Sequence, residues 1–163
     1  MSKIARFFTK KSSESVPPHP RPTQKYTLPL CADSLKKIFA GCSDFTLRPV
    51  WPGGIRREGV SVCWLEGLVS AEAVSGDVLR PLTDARLFSG GDDRLLLEEL
   101  LRGAVWSCAV SRCDDTDALV AALLSGSCAV VFDALGAAAA FETRSALSRA
   151  VGPPTVEKSV KGG

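Results

Sequence analysis

Histidine is almost missing from this sequence: there is one in 163 residues, His19, set in Pro17-Pro18-His19-Pro20-Arg21-Pro22. A Cys–His pair or a Ser–His–Asp triad needs an imidazole held within hydrogen-bond reach of the nucleophile. A proline-rich tail cannot hold one there, so the commonest hydrolase designs drop out. Six cysteines stand at 31, 42, 63, 108, 113 and 128, none in a C-x-x-C pair, and no second histidine joins them. That removes the usual zinc-ligand spacings. No G-x-x-x-x-G-K-[ST] or G-x-G-x-x-G occurs, so Gly53-Gly54 and Gly90-Gly91 read as turns and not as phosphate cradles. The longest apolar run, near Cys128–Phe132, falls well short of the ~18 residues that span a bilayer. Ile4 to Phe8 is broken by Arg6 and leads into no apolar h-region, so no secretory signal is read. A chain kept in the cytosol holds its thiols reduced. Val62-Cys63-Trp64 and Ser127-Cys128-Ala129 therefore read as runs in which cysteine packs as a small hydrophobe.

What is present is ordinary for a globular body. Hydrophobic residues make up 45% and charged residues 23%, enough to bury a core over one domain. Charge is unevenly placed. Residues 1–30 hold Lys3, Arg6, Lys10, Lys11, Arg21 and Lys25 against Glu14, a net of +5 within a total of +2, which leaves −3 on the rest. A mildly acidic body argues against nucleic-acid binding, which calls for a concentrated positive face. The tail, rich in Ser and Pro, has the composition of a disordered segment. Its first residues mix cations with Ile4, Phe7 and Phe8, a pattern compatible with weak contact to an anionic membrane.

Along the body, short helices alternate with short strands. Asp33 to Phe39 reads as a helix with Asp33 as N-cap and Gly41 as stop. Phe45–Trp51 and Gly59–Leu65 read as a hairpin, with Pro49 keeping the first strand at an edge. Ser70 caps a helix over Ala71–Leu79 that Pro81 ends. Asp92 or Asp93 opens an amphipathic helix with Leu95, Leu96, Leu100 and Leu101 inward. Val105–Val110 reads as a strand, and Asp114 as the cap of the next helix. This predicts an α/β layer with a mixed sheet: a central strand–helix–strand unit from Val105 to Phe132, right-handed and parallel, a C-terminal β-hairpin and flanking helices.

The most informative stretch is the last. Asp117–Leu124 is apolar at helical spacing and Ser125-Gly126 stops it. Ser127–Phe132 is a continuous apolar strand, Asp133-Ala134-Leu135-Gly136 a turn, and Ala137–Thr143 a returning strand of small residues. A polar tail follows, with Arg144, Arg149, Lys158 and Lys161 against Glu142 and Glu157.

The succession Leu123, Leu124, Ser125, Gly126, Asp133, Thr143, Arg149, Pro154, Glu157, Lys161 and Gly162 resembles the pattern of GerA-type spore germination proteins, the A subunits of germinant receptors. Glu66-Gly67-Leu68-Val69, followed by Leu79-Arg80-Pro81-Leu82, resembles an earlier block of the same family. Together these cover about Cys31 to Gly162. The family has Gly where Ala134 stands. Composition and patterning divide the chain into a tail over 1–30 and an α/β domain over 31–143. The resemblance implies that 144–163 is a connector toward a second lobe and a membrane domain. It also implies a non-catalytic, cytoplasmic sensory module of a protein in the spore inner membrane. Other receptor subunits would be its partners and a small-molecule germinant its possible ligand; the residues themselves give no sign of a cofactor.

No catalytic, metal or ligand residue is assigned from the sequence. Asp114, Asp115 and Asp117 form the one carboxylate cluster, and helix capping explains them. Cys108-x4-Cys113 reads as packing, and Trp51, Trp64 and Trp106, all in predicted strands, as core. The alternative function is a stand-alone cytosolic α/β protein that binds a small ligand or works as a Cys-dependent enzyme. A lowered thiol pKa would mark the latter.

Overall fold

Strands β4 (Ser127–Phe132) and β5 (Ala137–Glu142) form the centre of the computed structural model, which describes residues 25–88, 90–104 and 107–144. Every residue of β4 and all but the last of β5 are buried. The turn between them closes through Leu135 N–H to the Phe132 carbonyl (3.1 Å) and Gly136 N–H to Asp133 (3.3 Å). Gly136 takes φ +58°, a conformation that favours glycine. β1 (Phe45–Pro49), β2 (Val60–Leu65) and β3 (Val110–Cys113) complete a five-stranded sheet in the order β1-β2-β4-β5-β3.

The expected strand–helix–strand unit is present: β3, then α4 (Thr116–Leu124), then β4. β3 and β4 point the same way because each is antiparallel to β5. They are not neighbours, however. The four-residue turn folds β5 back between them, so the strand directions are mixed while every adjacent pair is antiparallel. β3 also lies later than Val105–Val110. Residues 105–106 are outside those described, 107–108 form a turn and bend, and the strand is Val-Ser-Arg-Cys, with Ser111 and Arg112 exposed. An edge strand presents one face to water and lacks the apolar run by which a central strand is found.

The period-2 alternation of the strands divides the core. Val62, Trp64, Cys128, Val130, Phe132, Ala139 and Phe141 face one side, under the helical run 71–83 and the run 93–104. Cys63, Leu65, Ala129, Val131, Ala138 and Ala140 face the other, against α1 (Ala32–Ile38) and α4. Alanines in β5 share that second cluster with Leu119 and Leu123, both fully buried. Each such leucine contributes roughly 1.5–3 kcal/mol of apolar burial.

The helices depart from expectation where distant partners intervene. Asp33 is not the cap of α1; Cys31 holds that position without a side-chain cap bond, and the Ala32 amide is taken by Asp133 at 2.8 Å. Asp115, not Asp114, caps α4, accepting from the Ala118 amide at 2.7 Å. Ser70 does cap its helix through the Ala73 amide (3.3 Å). That helix is π-helical over Ala73–Leu79 and runs through Pro81 into α2 (Arg80–Thr83). Pro81 therefore lies within a continuous helix, where its missing N–H leaves one backbone acceptor without its helical donor. The Asp77 carbonyl, which Pro81 cannot serve, accepts the Ser107 hydroxyl at 3.4 Å. α3 (Asp93–Glu99) is capped by Asp92, bonded to the Leu95 amide at 2.8 Å. It turns Leu96, Leu97 and Leu100 inward and leaves Leu95 43% exposed.

Residues 25–30, assigned to the tail from sequence, are tied to the body. The Lys25 and Tyr26 amides donate to Asp117, the Thr116 hydroxyl donates to the Leu28 carbonyl, and Leu30 is buried. Residues 1–24, with His19, and the connector beyond Arg144 lie outside the described residues.

Candidate functional site

At the end of the sheet where β5 runs out, three stretches of chain meet. The Ser70 amide donates to the Thr143 carbonyl (2.7 Å), and the buried Thr143 hydroxyl donates to the Gly126 carbonyl (3.3 Å). Val69 and Arg144 form an antiparallel bridge. Gly126 takes φ +89°, and a Cβ built on it would lie 2.8 Å from the Leu68 carbonyl oxygen and 2.9 Å from Arg144 Cγ. Ser125 N–H bonds back to the Ala121 and Ala122 carbonyls, closing α4 just before this point. The junction thus joins the 66–70 turn, the α4–β4 link and the chain leaving β5. Gly126 and Thr143 come from one block of the sequence pattern, and Leu68 and Val69 from the other. Ser70, read as a helix cap, and Arg144, read as part of the polar tail, join the junction through their backbones as well, which no sequence pattern marks.

The carboxylates and thiols that could have carried chemistry have structural tasks. Asp115 caps α4, Asp117 holds the Lys25 and Tyr26 amides, and Asp114 pairs with Arg112 at 2.6 Å. All six cysteines are free thiols; Cys63, Cys113 and Cys128 are buried, Cys31 and Cys108 half-buried, and Cys42 exposed. Burial pushes the Cys113 thiol up to about 11 and Cys128 up to about 12, and raises Cys63 well above its ordinary range. A nucleophilic cysteine needs the opposite shift. Asp84 goes the other way, lowered to about 2 by its hydrogen bonds from Arg86, on the surface. Trp64 packs in the core, whereas Trp51 lies past the end of β1 and is 48% exposed; Trp106 is outside the described residues. Among the described residues no three His, Cys, Asp or Glu side chains converge.

Against this geometry, the sequence profile described as Bacillus/Clostridium GerA spore germination protein matches residues 33–163. The chain belongs to the GerA family. No curated protein matches it. Among solved structures, the GerA-family fold is similar to the N-terminal domain of the A subunit of the Bacillus megaterium spore germinant receptor GerK3. That likeness has a TM-score of 0.58 at 20% identity, and covers 74% of this chain and 49% of the other. At such identity the likeness bears on the fold. The chain spans about half the length of that solved domain. Of the family-pattern positions, Leu123, Leu124, Ser125, Gly126, Asp133 and Thr143 are described; Arg149, Pro154, Glu157, Lys161 and Gly162 are not.

Proposed function

We propose that this GerA-family chain is the N-terminal sensory and signalling part of a germinant receptor A subunit, and that it acts without catalysis. Its work is conformational: a partner subunit or a small-molecule germinant shifts the balance between arrangements of the receptor. The observation that carries this is the junction. Both blocks of the family pattern converge on Gly126, Thr143 and the 66–70 turn, where the chain departs toward residues 145–163. A strain applied to either face of the sheet reaches the departing chain there through buried, hydrogen-bonded backbone. In the full-length protein the domain would lie on the cytoplasmic side of the spore inner membrane. Among the described residues, no helix is long and apolar enough to cross a membrane.

The test is recovery of partners. Full-length A subunit purified from spore membranes is expected to bring the other receptor subunits with it, and deletion of residues 25–144 to abolish nutrient-triggered germination. A deleted protein, present at normal level, that still supports germination would overturn the proposal.

A further inference from the structure

An open groove of about 440 Å3 lies between the β1–β2 edge of the sheet and the helical run 71–83. Its floor is apolar, made by Val62 and Trp64 of the sheet, and Leu79 adds an apolar side chain from the helical wall. Arg48 and Arg80 stand at its rim, and no Asp or Glu lines it. Five ion pairs occur among the described residues, and neither arginine belongs to one. Arg48 is steadied instead by the Trp64 ring, with its guanidinium carbon 5.9 Å from the ring centroid. That contact places the charge without neutralising it.

The helical wall is shaped for the groove by its π geometry. The Arg80 amide bonds to the Ser75 carbonyl, five residues back. In an α-helix, residues five apart diverge by about 140° around the axis. The wider turns bring Ser75, Leu79 and Arg80 to one side, and such widenings often mark functional sites. Among the described residues the Ser75 hydroxyl has no hydrogen-bond partner and is free to serve a ligand.

We propose that this groove binds a small organic anion: a carboxylate held between Arg48 and Arg80, on an apolar body lying against Trp64, Val62 and Leu79. Planar guanidinium groups match a carboxylate bidentately. An α-amino acid of the same skeleton is disfavoured, because its ammonium group meets two cations and no carboxylate. The groove thus selects for a monoanion over a zwitterion. Binding is a property of this groove whether or not it feeds a receptor signal, so its failure and the failure of the receptor role are separate results.

The experiment is calorimetric titration of the purified chain with 3-phenylpropanoate and with phenylalanine, which adds only the α-ammonium. The anion is expected to bind, with the amino acid at least ~10-fold weaker, a difference of about 1.4 kcal/mol. R48A/R80A should lose the anion, while R48K/R80K should retain part of the affinity by keeping the charge without the fork. Both arginines are exposed, and circular dichroism checks that the variants are folded. No binding of the anion, equal binding of phenylalanine, or undiminished binding by folded R48A/R80A would each overturn the proposal. Inorganic phosphate is the control for simple charge: if it competes as well as the carboxylate, the apolar floor has no part and the proposal fails.

Discussion

Gly126→Val should destabilise this domain far more than an exchange at Gly136 or Gly41. Two costs combine at that position. A φ of +89° is a conformation a β-branched residue rarely takes, and the added Cβ would sit 2.8 Å from a backbone oxygen that cannot step aside. The left-handed conformation alone costs about 1–2 kcal/mol for a residue with a Cβ. With the clash at the Leu68 carbonyl added, the loss should reach ~3 kcal/mol or more, at or beyond the upper end of what single exchanges usually cost. Urea unfolding followed by circular dichroism measures it. Two companions separate the causes. Gly136→Ala has φ +58° and open space around the new methyl, so it should cost about 1–2 kcal/mol for conformation alone. Gly41→Ala has neither problem and should stay within about 0.5 kcal/mol of the parent. If Gly126→Val proved no worse than Gly136→Ala, the close packing of the three chain stretches would be refuted.

The second large effect concerns the thiols. At neutral pH Cys42 should react quickly with a maleimide, while Cys63, Cys113 and Cys128 wait for the fold to open. With a folding free energy of even 5 kcal/mol, buried thiols that need global unfolding should label at least ~10³-fold more slowly. Peptide mass mapping after timed labelling reads each site. The same burial sets a pH dependence. A thiol whose folded pKa is raised keeps its proton in the folded state after the unfolded chain has lost it. Stability is therefore full below about pH 8.5 and falls as pH rises through the window ending near 11 for Cys113 and 12 for Cys128. The slope reaches at most about 1.4 kcal/mol per pH unit for each fully titrating thiol. A buried cysteine that labelled as fast as Cys42 at pH 7, or stability unchanged between pH 8 and 11, would bring back the Cys-dependent enzyme.

How much of this was legible in the chain depended on how local the determinant was. β4 and β5 could be read with their turn because Ser127–Phe132 is apolar on both faces and Asp133–Gly136 is turn chemistry in one place. The hairpin of β1 and β2 was readable from the alternation of Phe45–Trp51, the Pro52-Gly53-Gly54 turn and the apolar run Val60–Leu65. Capping of α1 was not, because the acceptor of the Ala32 amide is 101 residues away at Asp133. The split between β3 and β4 was hidden as well: nothing in Val105–Phe132 says that the next strand will return between them. Leu95 and Leu97 exchanged roles at the start of α3, where Leu95, Leu96 and Leu97 are equally apolar and only the phase of the turn decides which one is exposed. At the junction, Gly126 was recognised as a helix stop, and that is only half its task. The Leu68 carbonyl that excludes a side chain there comes from another part of the chain. The groove was illegible for a similar reason, since Arg48 and Arg80 are brought together by a sheet edge and a π-helical wall.

Central to this account is that the junction passes a conformational signal from the domain to the chain beyond it. Thr143→Val tests that most directly, because it removes one buried hydroxyl, and its bond to the Gly126 carbonyl, while keeping the shape of the side chain. In spores whose only A subunit is the full-length protein with this exchange, nutrient-triggered germination is followed by loss of optical density, with receptor abundance measured by immunoblot. The account predicts germination slowed several-fold at unchanged receptor level. Germination at the parental rate, with the receptor equally abundant, would contradict it.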